Sequence, residues 1–425
     1  MGISPGEYYI SVDHLDVGMY VLLDLGWMEH DFPLNSFKIK NQRQIDQIKA
    51  HGLKKIRIDP ARSVFVPPAY VEEEPESAEE IEEATGESPE DALERAQREF
   101  MLRQYTALAE CEKQFAKAAG SLRAINANVH ARPQEAFNAA AGLVHDLLDT
   151  ITGHKDVAIR LMNDKAGSEE MYYHALNVSV LAMMLARELN IPPADNEQLG
   201  IGCLFHDIGK TLIPYRVLKA DKPSRAEVNL QRQHCEYGAT IGAKVDLSSQ
   251  ALAVVVQHHE HVDGSGYPDG LKGEDISPLA RIACIVNAYD NHCNPQNPAD
   301  ALTPYEALAH MYAHERKWYD VAYLTVFIRA MGVYPPGAVV KLEDGRIGIV
   351  IAANFGTPLR PRVLIYDPSV SKNNAPILDL QQHPELNIKS SIRPSELTAH
   401  AYEYLAPRTR VTYFFDTATN PSYPS

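Results

Sequence analysis

Cysteine is scarce and unpatterned: Cys111, Cys203, Cys235, Cys284 and Cys293 are odd in number and show no Cys-x-x-Cys spacing. That argues against a disulfide framework and suits reduced thiols in a cytoplasm, the expected location. Long apolar runs are missing too. Nothing approaches the ~18–20 consecutive apolar residues of a bilayer span, so no membrane partner is expected. The start, Met1 to Glu7, has neither a basic segment nor an apolar stretch, so no secretory signal is expected there. Positive charge is in deficit, with 40 Lys and Arg against 56 Asp and Glu and a net charge of -16. Most of that is local. Between Glu72 and Glu94 stand eleven Glu and one Asp with no Lys or Arg, which leaves only -4 for the rest of the chain. Such a block reads as a solvated linker. Without a basic stripe, a nucleic-acid polymer is not an expected partner.

What is present falls into four stretches. Residues 1–66 alternate short apolar runs with turns. Met19-Tyr20-Val21-Leu22-Leu23 and Lys55-Ile56-Arg57-Ile58 read as strands, and Asn41 caps a helix carrying Ile45 and Ile48 that Gly52 stops. This is a small α+β domain. Residues 67–98, with Pro67-Pro68 and the acidic run, form the linker. The pattern turns helical near Pro89, and residues 99–336 are expected to form one helical domain. Within it, Ser224-Arg225-Ala226-Glu227 is a capping box, and Pro278 and Pro304 sit at first helical positions. After Pro335-Pro336 the period shortens to two. Val339 to Leu342, a Glu343-Asp344-Gly345-Arg346 turn and Ile347 to Val350 make a hairpin, continued by Arg362 to Ile365. Residues 337–425 read as a β-rich extension.

Five segments of the helical stretch carry metal-ligand residue types. Glu170 and His174 stand four apart, on one helix face. His206-Asp207-Ile208-Gly209-Lys210 follows the apolar run Leu199 to Phe205; His234 lies after the capping box; His258-His259 ends the run Ala251–Val256; Asn287 and Asp290 follow Pro278. Imidazole and carboxylate together suit iron, manganese or zinc, and ligands delivered one or two per helix can converge inside a bundle. Cations ~3.5–4 Å apart brace the attacking and leaving oxygens of a phosphodiester. Lys210 is placed to meet a phosphate oxygen. Each histidine alone is more often a satisfied core residue. It is the ordered set that carries the reading. Two decoys are set aside: His145-Asp146, which lacks a following Gly-x-Lys, and His310 with His314, which lack the Glu of a zincin helix and read as ordinary helix residues.

His206-Asp207-Ile208-Gly209-Lys210, His258-His259-Glu260 and Asp263-Gly264-Ser265-Gly266-Tyr267-Pro268 closely resemble the HD-GYP family, a branch of the HD metal-dependent phosphohydrolases. The likeness runs from Glu170 to Pro336, and residues 7–66 resemble the small N-terminal domain found on some members. It implies a mainly α fold: an HD-type helical bundle core between the α+β N-terminal domain and the β-rich extension. It also implies two or three transition-metal ions, iron or manganese, held by Glu170, His174, His206, Asp207, His234, His258 and His259. His206, Asp207 and Lys210 would be the catalytic residues. Lys210, Asp263, Gly264, Gly266, Tyr267 and Pro268 would meet the substrate. Family members are phosphodiesterases that cleave the bacterial second messenger cyclic di-GMP to linear pGpG, and to GMP on a second cut, by attack of a metal-bridging hydroxide.

Three departures stand out. Asn287 sits where the family has a ligand Asp, so the last ligand is Asn287 or Asp290; Pro295 and Gln296 lie where a substrate-binding Arg is usual; and His261 replaces an Arg. They support a second reading, a receptor or adaptor that binds cyclic di-GMP, or a GGDEF-domain partner through the Gly-Tyr-Pro loop, without appreciable turnover. The appended domains suit protein contacts, a homodimer among them.

Overall fold

The computed structural model describes residues 8–23, 36–50, 55–67 except 61 and 65, 89–153, 158–162, 170–353, 357–372, 375–407 and 411–416. It divides into two units, Met1–Gly86 and Glu87–Ser425. In the first, strands β1 (Tyr9–Ser11), β2 (Tyr20–Leu22) and β3 (Ser36–Lys38), helix α1 (Gln42–Ala50) and strand β4 (Lys55–Ile58) follow one another. The sheet order is β1-β4-β2-β3, antiparallel throughout. Alternation places Ile10, Val21, Ile56 and Ile58 in a small core with Ile45 and Ile48 of α1. The Asn41 side chain accepts from the Gln44 N–H at 3.2 Å, the expected helix start. Gly52 and the acidic residues from Glu72 to Glu87 lie outside the described residues.

The second unit opens with α2 (Pro89–Asn128) and α3 (Pro133–Gly153), followed by β5 (Ala158–Leu161). Then come α4 (Glu170–Glu188), α5 (Pro193–Phe205), α6 (Tyr215–Leu218), α7 (Arg225–Arg232), α8 (His234–Lys244), α9 (Ser249–Gln257), α10 (Pro278–Cys293), α11 (Pro304–His310) and α12 (Val321–Met331). The chain ends in β6 (Val339–Leu342), β7 (Ile347–Ala353), β8 (Arg362–Ile365), β9 (Ile377–Asp379), β10 (Ile388–Ile392), α13 (Ala399–Leu405) and β11 (Tyr413–Asp416).

Helix α4 is the axis of this unit. From Ala175 to Ala186 its side chains are buried, polar Asn177 and Ser179 included, as expected of a helix that is apolar all round. Helices α2, α5, α10 and α12 pack on it, and α9 bridges α5 and α10. The capping boxes at Ser224 and Thr303 both form, and Pro278 and Pro304 stand at first turns. Among the described residues, no helix is long and apolar enough to cross a membrane.

The structure departs from the expected segmentation in two places. Helix α2 already runs from Pro89, through the end of the stretch read as linker. The β-rich extension is also not a separate body. The hairpin β6–β7 and strand β8 form as read, but β5, from inside the helical stretch, pairs with β7 at Ile159↔Ala353 and with all of β11, Tyr413↔Leu161 to Asp416↔Ala158. The four residues Ala-Ile-Arg-Leu follow a helical stretch, and their partner lies some 250 positions on, so nothing local announces the strand. The sheet thereby joins the segment between α3 and α4 to the C-terminal strands.

Candidate metal centre

Three of the histidines follow the last turn of a helix and are held in the same way. His206 follows α5, His234 follows the last turn of α7, and His258 follows α9. In each, Nδ1 meets the carbonyl oxygen three residues back: Cys203 at 2.7 Å, Gln231 at 2.7 Å and Val255 at 2.9 Å. The last carbonyls of a helix have no partner of their own, so an imidazole N–H satisfies one. Donating through Nδ1 leaves the Nε2 lone pair facing outward, in the tautomer that binds metals. His174, on α4, is set differently. Its Nδ1 donates to Asp290 Oδ2 of α10 at 2.5 Å, and its Nε2 faces the same cavity.

The four Nε2 atoms converge in two pairs. His174 and His206 bring theirs to 3.2 Å, as do His234 and His258. Asp207 stands between the pairs. Its Oδ2 lies 3.6 Å from His174 Nε2 and 3.5 Å from His206 Nε2, while its Oδ1 lies 3.5 Å from His234 Nε2 and 3.9 Å from His258 Nε2. His259 completes the second group, whose ligand atoms all lie within 4.8 Å of one another, as do those of His174, His206 and Asp207. One carboxylate therefore serves two imidazole clusters.

This arrangement fits cations. With the Nδ1 atoms donating, each facing Nε2 pair sets two lone pairs against each other, which is repulsive unless something positive lies between. Asp207 Oδ1 is buried with no hydrogen-bond partner, costly for a carboxylate oxygen unless a charge offsets it. Burial makes the imidazoles poor homes for a proton. It pushes the pKa of His206 down to about 4, lowers that of His234, and drives those of His258 and His259 well below the ordinary value. His174 is the exception: burial opposes its protonation, but its bond to Asp290 and the charges of Asp290 and Asp207 outweigh that and raise its pKa. Burial would likewise raise the Asp207 pKa, yet the Lys210 ammonium and the imidazoles hold it well below the usual range.

Asp290 is fully engaged elsewhere. Besides His174, it accepts from Asn177 at 2.7 Å and Asn294 at 2.9 Å through Oδ1, and its side chain is buried. It orients His174. Asn287, also buried, accepts through Oδ1 from Asn291 at 3.1 Å. Glu170 is the first residue of α4, with its side chain outside the described residues.

At the mouth, Lys210 Nζ lies 2.6 Å from Asp207 Oδ2 with a third of its side chain exposed. Gly209 explains how the motif reaches this place. A Cβ there would be driven into the His234 carbonyl, so only glycine lets the turn carrying Asp207 lie on α8. The Gly-Tyr-Pro loop shows the same logic at Gly266, where a Cβ would strike the backbone of His259, Glu260 and His261. Tyr267 stacks on His259, centroids 4.5 Å apart, and the Arg232 guanidinium lies 4.8 Å over the Tyr267 ring. Asp263 is exposed and accepts from the Ser265 N–H and hydroxyl at 2.9 and 2.6 Å; Gly264, at φ +82°, lies within that turn.

Two residues with evident roles carried none in the sequence reading. Glu260 is buried and accepts from the N–H groups of Asp269, Gly270 and Leu271 at 2.7, 3.1 and 3.0 Å, which holds the loop's return. Arg232 precedes His234 by two residues, a cation next to a ligand-type histidine, and that proximity was its only signal. The decoy pair His145-Asp146 is exposed.

Residues 133–323 match the HD domain family, residues 8–140 a domain of unknown function (DUF3391), and residues 339–400 the KOW domain associated with HD domain. The helical unit is thus built on an HD domain. The chain is 29% identical over 398 residues to the cyclic di-GMP phosphodiesterase PA4108 of Pseudomonas aeruginosa, covering 91% of this chain and 92% of that one. It is 30% identical over 155 residues to the cyclic di-GMP phosphodiesterase response regulator RpfG of Xanthomonas campestris, 36% of this chain and 41% of the relative. Bd1817, a HDG"Y"P protein from Bdellovibrio bacteriovorus, superposes with a TM-score of 0.42 at 18% identity, over 75% of this chain and 97% of that structure. The His-Asp motif, the paired histidines and the Gly-Tyr-Pro loop all lie within residues 133–323, the stretch that matches the HD domain family.

Proposed function

We propose that the chain is a metal-dependent phosphodiesterase that opens cyclic di-GMP to linear pGpG, with GMP as the product of a second cut. Two cations, iron or manganese, would be held by His174, His206 and Asp207 on one side and by Asp207, His234, His258 and His259 on the other. Glu170 and Asn287 would complete the shell, Glu170 toward a third ion. When bound, such cations supply the positive charge and Lewis acidity that an anionic phosphodiester otherwise lacks. The protein's own part is orientation. The backbone carbonyls fix His206, His234 and His258, Asp290 fixes His174, Asp207 stands between the two clusters, and burial disfavours protons on His206, His234, His258 and His259. Lys210 has three donors, of which Asp207 uses one, so it can also meet a phosphate oxygen. Tyr267 and Arg232 offer a ring and a cation at the edge where a guanine base would lie.

The observation that carries this reading is the single buried carboxylate shared by two imidazole clusters, its Oδ1 without a protein donor. Similarity to relatives named cyclic di-GMP phosphodiesterases supports the substrate. The test is incubation of iron- or manganese-loaded protein with cyclic di-GMP and chromatography of the products. pGpG should accumulate, and His206→Ala or Asp207→Ala should abolish it. Undiminished hydrolysis in those variants would refute the site, and tight nucleotide binding without pGpG would make the chain a receptor.

A further inference from the structure

Away from this centre, a second group of ligand-type side chains meets on the other side of α10. At ~100° per residue, His292 points roughly 200° around the helix from Asp290, and the partners agree: Asp290 bonds His174, whereas His292 Nε2 lies 3.0 Å from Glu315 Oε2. His310 Nε2 lies 3.3 Å from the other oxygen, Oε1. The two imidazoles meet edge to face with centroids 5.1 Å apart, and the three ligand atoms lie within 4.8 Å of one another.

Three features make this more than a surface ion pair. Glu315 is 7% exposed, so its charge is largely cut off from water and needs a counter-charge. Its orientation is fixed by the buried Tyr319 hydroxyl, which donates to Oε2 at 2.6 Å, the kind of outer support that ligating carboxylates have. The backbone is also irregular at this point: Met311–Glu315 forms a π-helical turn directly after α11. A π turn closes five residues apart, which brings Glu315 under His310. Such turns recur at functional sites. His310, 40% exposed, leaves one side open to solvent for entry and for a water ligand.

We propose that His292, His310 and Glu315 form a second divalent-metal site, separate from the first and of the zinc class. Two imidazole nitrogens and one carboxylate, with a position left for water, match that donor set. The site shares only α10 with the first centre and does not depend on its activity. On this proposal His310 is a metal ligand rather than an ordinary helix residue.

The experiment measures zinc bound by the full-length chain. Protein carrying His206→Ala, Asp207→Ala and His258→Ala, which leave neither cluster of the first centre more than two ligands, is stripped with a chelator, incubated with zinc alone, desalted and subjected to elemental analysis. One zinc per chain is expected, falling to none when His310→Gln is added. Glutamine can still donate a hydrogen bond to Glu315, so this variant preserves the fold if the cluster is only hydrogen-bonded, and circular dichroism verifies it. Tyr319→Phe should weaken zinc binding ~10-fold without abolishing it. Cobalt(II) alone should give a visible absorption band in the same background, lost with His310→Gln. No zinc in the triple variant, or an equal amount with and without His310→Gln, overturns the proposal. Failure of the first centre is read separately, from hydrolysis of cyclic di-GMP.

Discussion

Replacing Glu260 by Gln should loosen the Gly-Tyr-Pro loop without unfolding the helical unit. The carboxylate accepts three backbone N–H groups, two on Oε1 from Asp269 and Gly270 and one on Oε2 from Leu271. Glutamine can keep its carbonyl oxygen where Oε1 stands, but its amide then points N–H at the Leu271 N–H. One charge-assisted bond, worth ~1.5–3 kcal/mol, is lost, and two others fall to neutral strength at roughly half their value. Allowing for partial relaxation, the loop's local stability should drop by ~3 kcal/mol. At ~1.4 kcal/mol per factor of ten, that is about a 100-fold larger open population. Hydrogen exchange read at the amides of Asp269, Gly270 and Leu271 measures it directly, independently of any catalytic claim. Amides on α4 and α5 should keep their protection. If the three loop amides exchange at wild-type rates in Glu260→Gln, the carboxylate does not hold the loop and the reasoning fails.

Other consequences follow from the same geometry. Metal-free protein should lose stability as pH falls from ~6.5 to about 4: His206 is held neutral with a pKa of about 4, so the unfolded chain binds the extra proton throughout that window. The loss from this residue is ~3 kcal/mol at ~1.4 per pKa unit, readable as denaturation midpoints against pH, and a flat profile refutes it. Gly209→Ala should cost ~1–3 kcal/mol, because its Cβ meets the His234 carbonyl rather than a movable side chain; an unchanged melting temperature would count against that contact. Arg232→Ala should raise KM for cyclic di-GMP about tenfold, the ~1.4 kcal/mol of a partly desolvated cation contact, while leaving metal content unchanged; an unaltered KM would reduce Arg232 to a support for Tyr267.

Most of the ligand-type residues were legible in the sequence because they sit near the end of a helix, next to a strongly apolar run that sets the register. The structure gathers His174, His206, Asp207, His234, His258 and His259. Less local features were silent. Strand β5 is four residues whose pairing depends on a strand at the far end of the chain. The cluster of His292, His310 and Glu315 escaped because spacings of three and four describe α-helices, whereas a π turn sets residues five apart side by side. Asn287 and Asp290 could not be separated by spacing, since both lie on buried faces of α10; only the partners Asn177 and Asn294, from α4 and the end of α10, show that Asp290 is occupied.

That occupancy bears on how the chain tolerates two of its three departures from the family pattern. On the proposed function, a neutral Asn287 in place of the family's Asp removes one negative charge from the metal shell. Among the described side chains, Asp207 is then the anion facing both clusters, since both oxygens of Asp290 are taken up by His174, Asn177 and Asn294. The pocket is therefore one unit more positive than a family pocket carrying Asp at that position, and the substrate is a dianion. The missing Arg near Pro295 and Gln296 removes one positive charge from the same neighbourhood. The two changes have opposite sign and offset each other in the field the substrate meets, although not in hydrogen bonds. Asn287→Asp should then tighten the metals while weakening substrate attraction unless a cation is restored alongside it. A rise in metal occupancy with an unchanged salt dependence of KM would show that the two substitutions are independent.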